Sequence, residues 1–230
     1  MFATSNPHKL AEVAEILRPT RLPVEGLGPQ AARLPEPVED GATFVANAHI
    51  KAAYYARHTG ALTLADDSGL VVDALGGEPS VHSARYAGVE GGRDAADPAN
   101  NRLILDRLVG IPDADRTARF VCVMVLADGR GTWAVARGVI EGLILTTPRG
   151  AGGFGYDPLF FSAEANCALA ELSREQKNAL SHRGRATRRM AGLLDRLLAG
   201  QAGSDGSHPT SRPAQAARPA PPDSGGPGTA

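Results

Sequence analysis

The chain has 230 residues and a formal net charge of −1, which excludes the basic excess of a general nucleic-acid or membrane-surface binder and leaves phosphate recognition to local groups. No apolar run has the length of a membrane span, and the N-terminus lacks the basic-then-apolar pattern of a signal peptide, so the expected compartment is the cytoplasm. The two cysteines, Cys122 and Cys167, stand far apart with no Cys-x-x-C and no His at metal spacing, and read as structural thiols.

Met1-Phe2-Ala3 is a very short opening strand for an α/β chain, as though the natural start lay further upstream. Asn6 as cap, Pro7 at the first helical position and Leu10, Val13, Ile16 and Leu17 at helical spacing predict a first helix, stopped by Pro19. A second helix is predicted from about Thr43 to His58, ending at Gly60. A strand over Ala61 to Ala65 follows, then an acidic turn at Asp66-Asp67-Ser68-Gly69 and a short strand at Leu70-Val71-Val72. Asp97-Pro98 opens a third helix that runs to Gly110. The pattern then becomes antiparallel β. Arg119 to Leu126 is a near-continuous apolar strand, Asp128-Gly129 a turn, and Thr132 to Leu145 one or two strands broken or bulged at Gly138 and Gly142. Arg185 to Ala199 reads as the closing helix. Residues 1–199 thus form one domain, and residues 200–230, rich in Pro, Gly, Ala and Ser, read as a disordered tail that cannot bury enough surface to order itself.

Five stretches carry candidate chemistry. Thr4-Ser5-Asn6-Pro7-His8-Lys9 is either a plain capped helix start or a phosphate cradle made of free N–H groups, the helix dipole and an ammonium; no G-x-x-x-x-G-K-[ST] is present. Adjacent Asp66 and Asp67 repel one another, and the turn is either solvated or aims oxygens at a hard cation such as Mg²⁺. Glu39-Asp40-Gly41 either completes such a site or places acids favourably before a helix; Lys51, two turns into that helix, reads as solvated. Gly150 to Gly155 matches G-x-G-x-x-G, but too little chain follows for a dinucleotide domain. A glycine loop that lets backbone approach a ligand explains it better, with Phe154 and Tyr156 either stacking on a base or packing in the core, and Asp157 accepting from the base. Lys177, His182 and Arg183 bracket a break that suits a phosphate plus a base edge, while Arg185, Arg188 and Arg189 belong in part to a solvated face.

Six blocks in order, Ala3 to Lys9, Asp40 to Phe44 with Asn47-Ala48 and Lys51, Ala65 to Leu70, Ser83 to Tyr86, Gly153 to Pro158 and Ser181 to Gly184, resemble the inosine/xanthosine triphosphate pyrophosphatase family across essentially the whole body. The resemblance implies an α/β fold, an elongated mixed β-sheet flanked by helices in two lobes with the nucleotide site in the cleft between them. It implies a cytoplasmic homodimer that uses Mg²⁺ to hydrolyse non-standard purine nucleoside triphosphates (ITP, dITP, XTP) to the monophosphate and pyrophosphate, and neither nucleic-acid polymer nor membrane as partner. Carried over by position, the phosphate loop falls on Thr4, Ser5, Asn6, Pro7, His8 and Lys9, the metal carboxylates on Glu39 and Asp67, and the general base on Asp67. Ser68, Phe154, Gly155, Tyr156, Asp157, Lys177, His182 and Arg183 match the remaining substrate-binding positions. The chain departs from the pattern at Ser5, where the family usually has Gly, at Ala46, where it commonly has Glu, and in the short first strand. A general Mg²⁺ phosphohydrolase releasing orthophosphate and a non-catalytic nucleotide-binding protein are the competing readings.

Overall fold

A computed structural model describes residues 1–20 and 24–204; the tail expected over residues 200–230 lies, from residue 205 on, outside the described residues. The opening segment makes a single parallel bridge, Phe2 to Leu64, so the short first strand exists only as an extra rung beside the main sheet. Asn6 caps α1 (Pro7–Leu17) by accepting from the His8 and Lys9 N–H groups, and Thr43 caps α2 (Phe44–Thr59), which ends on left-handed Gly60.

The sheet has five antiparallel strands in the order β1 (Thr63–Val72), β2 (Thr117–Ala127), β3 (Thr132–Ile144), β4 (Phe160–Ser162) and β5 (Cys167–Ala168). Helices cover both faces. Leu64, Cys122, Met124, Leu126, Ala134 and Ala136 face α1 and the last helix, α5 (His182–Ser204), while Ala65, Val121, Val123 and Val125 face α2. With both faces buried, β2 needs no polar alternation, which is why it reads as a continuous apolar run. A third cluster closes the far end, where Leu70, Val72, Phe120 and Ile140 meet Ile104, Leu108, Leu159 and Phe160. Among the described residues no helix is long and apolar enough to cross a membrane.

Four expectations are corrected. Asp66-Asp67-Ser68-Gly69 is not a turn: the ten residues of β1 pair without interruption with β2, from Thr63 opposite Ala127 to Val72 opposite Ala118. Gly69 serves close packing instead, since a Cβ there would overlap the Ser80 carbonyl oxygen and Ser83 Oγ, and Ser83 Oγ accepts from the Leu70 N–H at 2.9 Å. Of the one or two strands expected over Thr132 to Leu145 there is one, β3, and neither Gly138 nor Gly142 breaks or bulges it: the irregularity in its pairing with β2 falls at Leu126/Ala127 of β2. Gly138 lets the α5 backbone touch the sheet at His182 and Ala186, and Gly142 makes room for Phe160 and Phe161. The third helix, α3 (Arg93–Arg107), starts before Asp97 and carries Pro98 inside it; its cap, Gly92, makes no side-chain bond, so the sequence carries no cap signal for it. Finally, α4 (Arg174–Leu180) precedes the break at Ser181, started by the capping box of Ser173 and Gln176, and α5 begins at His182 rather than Arg185.

Candidate active site

The strand geometry of β1 decides what the two adjacent acids do. Successive side chains of a strand point to opposite faces, so Asp66 turns toward α1 and α5 and Asp67 toward α2. Asp66 lies 3.0 Å from Lys9 Nζ and 3.4 Å from Arg183 Nε. Burial raises its proton affinity, yet Lys9 and Arg183 outweigh that and hold the carboxyl well below the usual range. Asp67 accepts from Asn47 Nδ2 at 3.1 Å and from the Ser68 N–H at 2.9 Å. Burial dominates there and pushes its pKa up, against the Asn47 bond and the nearby lysines. One acid is thus a fixed anion and its neighbour a carboxylate with raised basicity.

A cavity of about 280 Å³ collects most of the predicted residues. Thr4, Ser5, Asn6, Lys9, Glu39, Asp67, Ser68, Phe154, Gly155, Tyr156, Asp157, Lys177, His182 and Arg183 all line it. Pro7 and His8 do not, because α1 turns them aside; His8 stacks instead on the Phe154 ring at 5.6 Å. Lys51 is no solvated residue. It bridges Glu39 at 2.9 Å and the Asp66 carbonyl at 3.1 Å, and although burial lowers its pKa, Asp66 and Glu39 raise it on balance.

Behind the cavity wall stands Glu12, which no motif singles out. It lies buried on α1, 2.7 Å from Arg183 and 3.2 Å from Lys177. One signal could have found it: Glu12 follows Lys9 by three positions on the face of α1 that carries Val13, away from solvent. Lys177 also pairs with Asp157 at 2.7 Å, and Arg183 donates to Ser68 Oγ at 2.9 Å. Two buried cations are therefore held by Glu12, Asp66 and Asp157, each pair compensating the other's desolvation. The arginines that follow are not simply solvated: Arg185 and Arg188 donate to the carbonyls of Leu180 and Asn178, and Arg189 to that of Arg137.

Tyr156 packs in the core, its hydroxyl donating to the Ser83 carbonyl at 2.8 Å. Phe154 faces the cavity with Lys177 Nζ 4.4 Å from its ring centroid. His182 stacks on Phe120 at 4.7 Å, and its buried Nδ1 has no hydrogen-bond partner. Burial, with Arg183 and Lys177 adding to it, keeps this imidazole neutral by holding its pKa well below 6.5. The unfolded chain takes up a proton near that value which the folded chain refuses. Stability is therefore complete above the unfolded pKa and declines as pH falls below it, by about 1.4 kcal/mol per unit. Urea unfolding between about pH 7.5 and about pH 5.5 registers that slope, and His182→Gln flattens it; a variant with an undiminished slope refutes the assignment.

The residues spread the site over α1, α2, β1, the loop before β4, α4 and α5, with contributions from Arg85, which the Ser83 to Tyr86 block contains, and from Arg93 and Asp97, to which no motif gave a site role. Comparison with known proteins bears on this arrangement. A profile of the Ham1 family matches residues 1–193. The chain is 50% identical over 188 residues to a dITP/XTP pyrophosphatase of Thermus thermophilus, covering 82% of this chain and 87% of that one. It is 47% identical over 197 residues to the dITP/XTP pyrophosphatase of Desulforamulus reducens, covering 86% and 96%. Of solved structures, a HAM1 protein from Coxiella burnetii superimposes with a TM-score of 0.75 at 40% identity, covering 85% of this chain and 97% of that one. The Staphylococcus aureus Ham1 protein follows at 0.74 and 34% identity, covering 85% and 98%.

Proposed function

The chain belongs to the Ham1 family, and from that premise we propose its reaction: it is a nucleoside-triphosphate pyrophosphatase that clears non-standard purine nucleotides (ITP, dITP, XTP) from the nucleotide pool. The observation that carries the reading is one cavity that gathers the Asp67 carboxylate, the helix start capped by Asn6 and the buried Lys177 and Arg183.

Asp67 acts as general base. Its two oxygens each accept one fixed donor and keep lone pairs for a water in the cavity. That water attacks the α-phosphorus, the α–β phosphoanhydride breaks, and pyrophosphate leaves with the electron pair of that bond. Lys9, Lys51 and Lys177 stabilise the charge that gathers on the departing pyrophosphate, and the N–H groups of the Asn6 helix start orient the chain of phosphates. Among the described residues no cluster of three or more His, Cys, Asp or Glu side chains is placed to bind a metal. The donor set fits a cation of the Mg²⁺ kind, which takes one or two carboxylates and completes its shell with water and substrate phosphates; Glu39 and Asp67, both lining the cavity, would hold it. When bound it neutralises triphosphate charge.

The 6-oxo group of hypoxanthine and xanthine meets donors from His182 and Arg183, and the adenine amine would leave those donors unpaired. The nucleotide lies in the cleft between two lobes. The enzyme works in the cytoplasm as a homodimer. Trp133 and Val135, exposed on one face of β3, support the pairing of two copies. The body over residues 1–199 is one domain.

A nucleotide panel with a pyrophosphate-coupled readout tests the reading. Mg²⁺-dependent pyrophosphate release from ITP, dITP and XTP, with ATP far slower, is the expected result. Orthophosphate as first product, or no product at all, overturns it.

A further inference from the structure

We propose that Arg93 reads the charge of the purine base and tilts this enzyme toward xanthine over hypoxanthine nucleotides. The inference rests on the nucleotide reading above and adds a determinant of base preference to it. Arg93, Asp97 and Asn101 stand at intervals of four along α3, so they share one face. Asp97 Oδ2 accepts from the Gly155 N–H at 2.8 Å, and Asn101 Nδ2 donates to the Gly155 carbonyl at 2.9 Å. The helix thereby clamps both backbone polar groups of the residue next to Phe154. From the first turn of the same face, the Arg93 guanidinium lies 5.4 Å from the Phe154 ring centroid and lines the cavity.

Three cations surround that ring, and they are not equivalent. Lys177 is committed to Asp157 and Glu12, and Arg183 to Glu12, Asp66 and Ser68. Among the described residues the one ion pair of Arg93 is with Asp97 at 3.8 Å, and the other oxygen of that carboxylate already serves Gly155. Its side chain is 41% exposed, against 7% for Lys177 and 2% for Arg183. From α1, His8 covers Phe154 as a ring and brings no carboxylate. Of the three, Arg93 therefore has the fewest fixed partners and the greatest exposure, and so the most charge to offer a ligand.

The chemistry of the base supplies the matching anion. The second oxo group of xanthine acidifies the neighbouring ring N–H, so a xanthine nucleotide is largely ionised on the base at neutral pH, whereas hypoxanthine stays neutral. With the base of the proposed nucleotide stacked on Phe154, which faces the cavity, the guanidinium 5.4 Å from that ring favours the first and is indifferent to the second.

Steady-state kcat and KM for XTP and ITP, read by pyrophosphate release, test this with wild type, Arg93→Gln and Arg93→Lys across about pH 5 to about pH 7.5, where, of the two bases, only xanthine titrates. We expect Arg93→Gln to lower the XTP:ITP ratio of kcat/KM about tenfold, the size of one screened charge contact at a partly exposed site, mainly through KM. Arg93→Lys restores most of the ratio. In wild type the ratio falls as pH drops and xanthine regains its proton; in Arg93→Gln that dependence shrinks. An equal loss on both nucleotides, or an unchanged ratio, overturns the inference and leaves the pyrophosphatase reading standing. Wild-type protein that releases no pyrophosphate from either nucleotide overturns that reading, and the inference with it.

Discussion

Asp67→Asn lowers kcat for pyrophosphate release by at least about a hundredfold, the low end of what a positioned general base contributes. The substitution keeps the shape of the side chain and removes its basicity. It also keeps a single acceptor where the Ser68 N–H and Asn47 Nδ2 each need one, so one donor now faces an amide nitrogen. The cost of that mismatch is about 1–3 kcal/mol, offset in part because no charge is buried any longer. The fold survives, and the loss falls on kcat rather than on KM. Steady-state kinetics beside a urea melt separate the two effects; a variant that keeps more than about a tenth of the wild-type rate removes Asp67 from the role of base.

The second large effect is on stability. Arg183→Ala destabilises the protein by about 3–5 kcal/mol, the range for deleting one partner of a buried ion pair, out of a total of about 5–15 kcal/mol for a typical domain. The guanidinium is nearly inaccessible, at 2% exposure, and serves Glu12 at 2.7 Å, Asp66 at 3.4 Å and Ser68 Oγ at 2.9 Å. Its removal leaves Asp66 with Lys9 and Glu12 with Lys177, each short of the charge that offsets its desolvation. Arg183→Lys recovers part of the loss, because an ammonium keeps the charge but cannot span three acceptors with a planar fork. Urea denaturation near pH 7 measures both variants. A loss below about 1 kcal/mol for Arg183→Ala places the network among surface-type ion pairs.

The contrast between legible and illegible residues follows the range of the forces involved. Asn6-Pro7, Thr43 and Gly60 are legible because a cap acts on donors within one turn of itself. The strand over Arg119 to Leu126 is legible because continuous apolarity signals burial on both faces. Asp66-Asp67-Ser68-Gly69 has the composition of a turn, yet the packing of Ser80 and Ser83 against Gly69 holds that stretch in the sheet. Helical position alone makes Lys51 look solvated, because it cannot show that Glu39 and the Asp66 carbonyl lie over the side chain. Arg93 is silent for a related reason: its helix starts on a glycine without a capping side chain.

The helices α1 and α2, the paired strands β2 and β3, and the six blocks that resemble triphosphate pyrophosphatases can be read along the chain, while α4, β4, β5 and the continuity of β1 cannot. The legible features rest on neighbours close in sequence or on the identity of residues at given spacings. Which of two adjacent aspartates is basic and which is a fixed anion, and which cations are committed, is settled only once the elements pack together. Those properties depend on burial and on charges distant in sequence, as between Glu12 and Arg183, 171 positions apart. A carboxylate's proton affinity is set by the dielectric and the charges around it, and neither exists until the chain has folded.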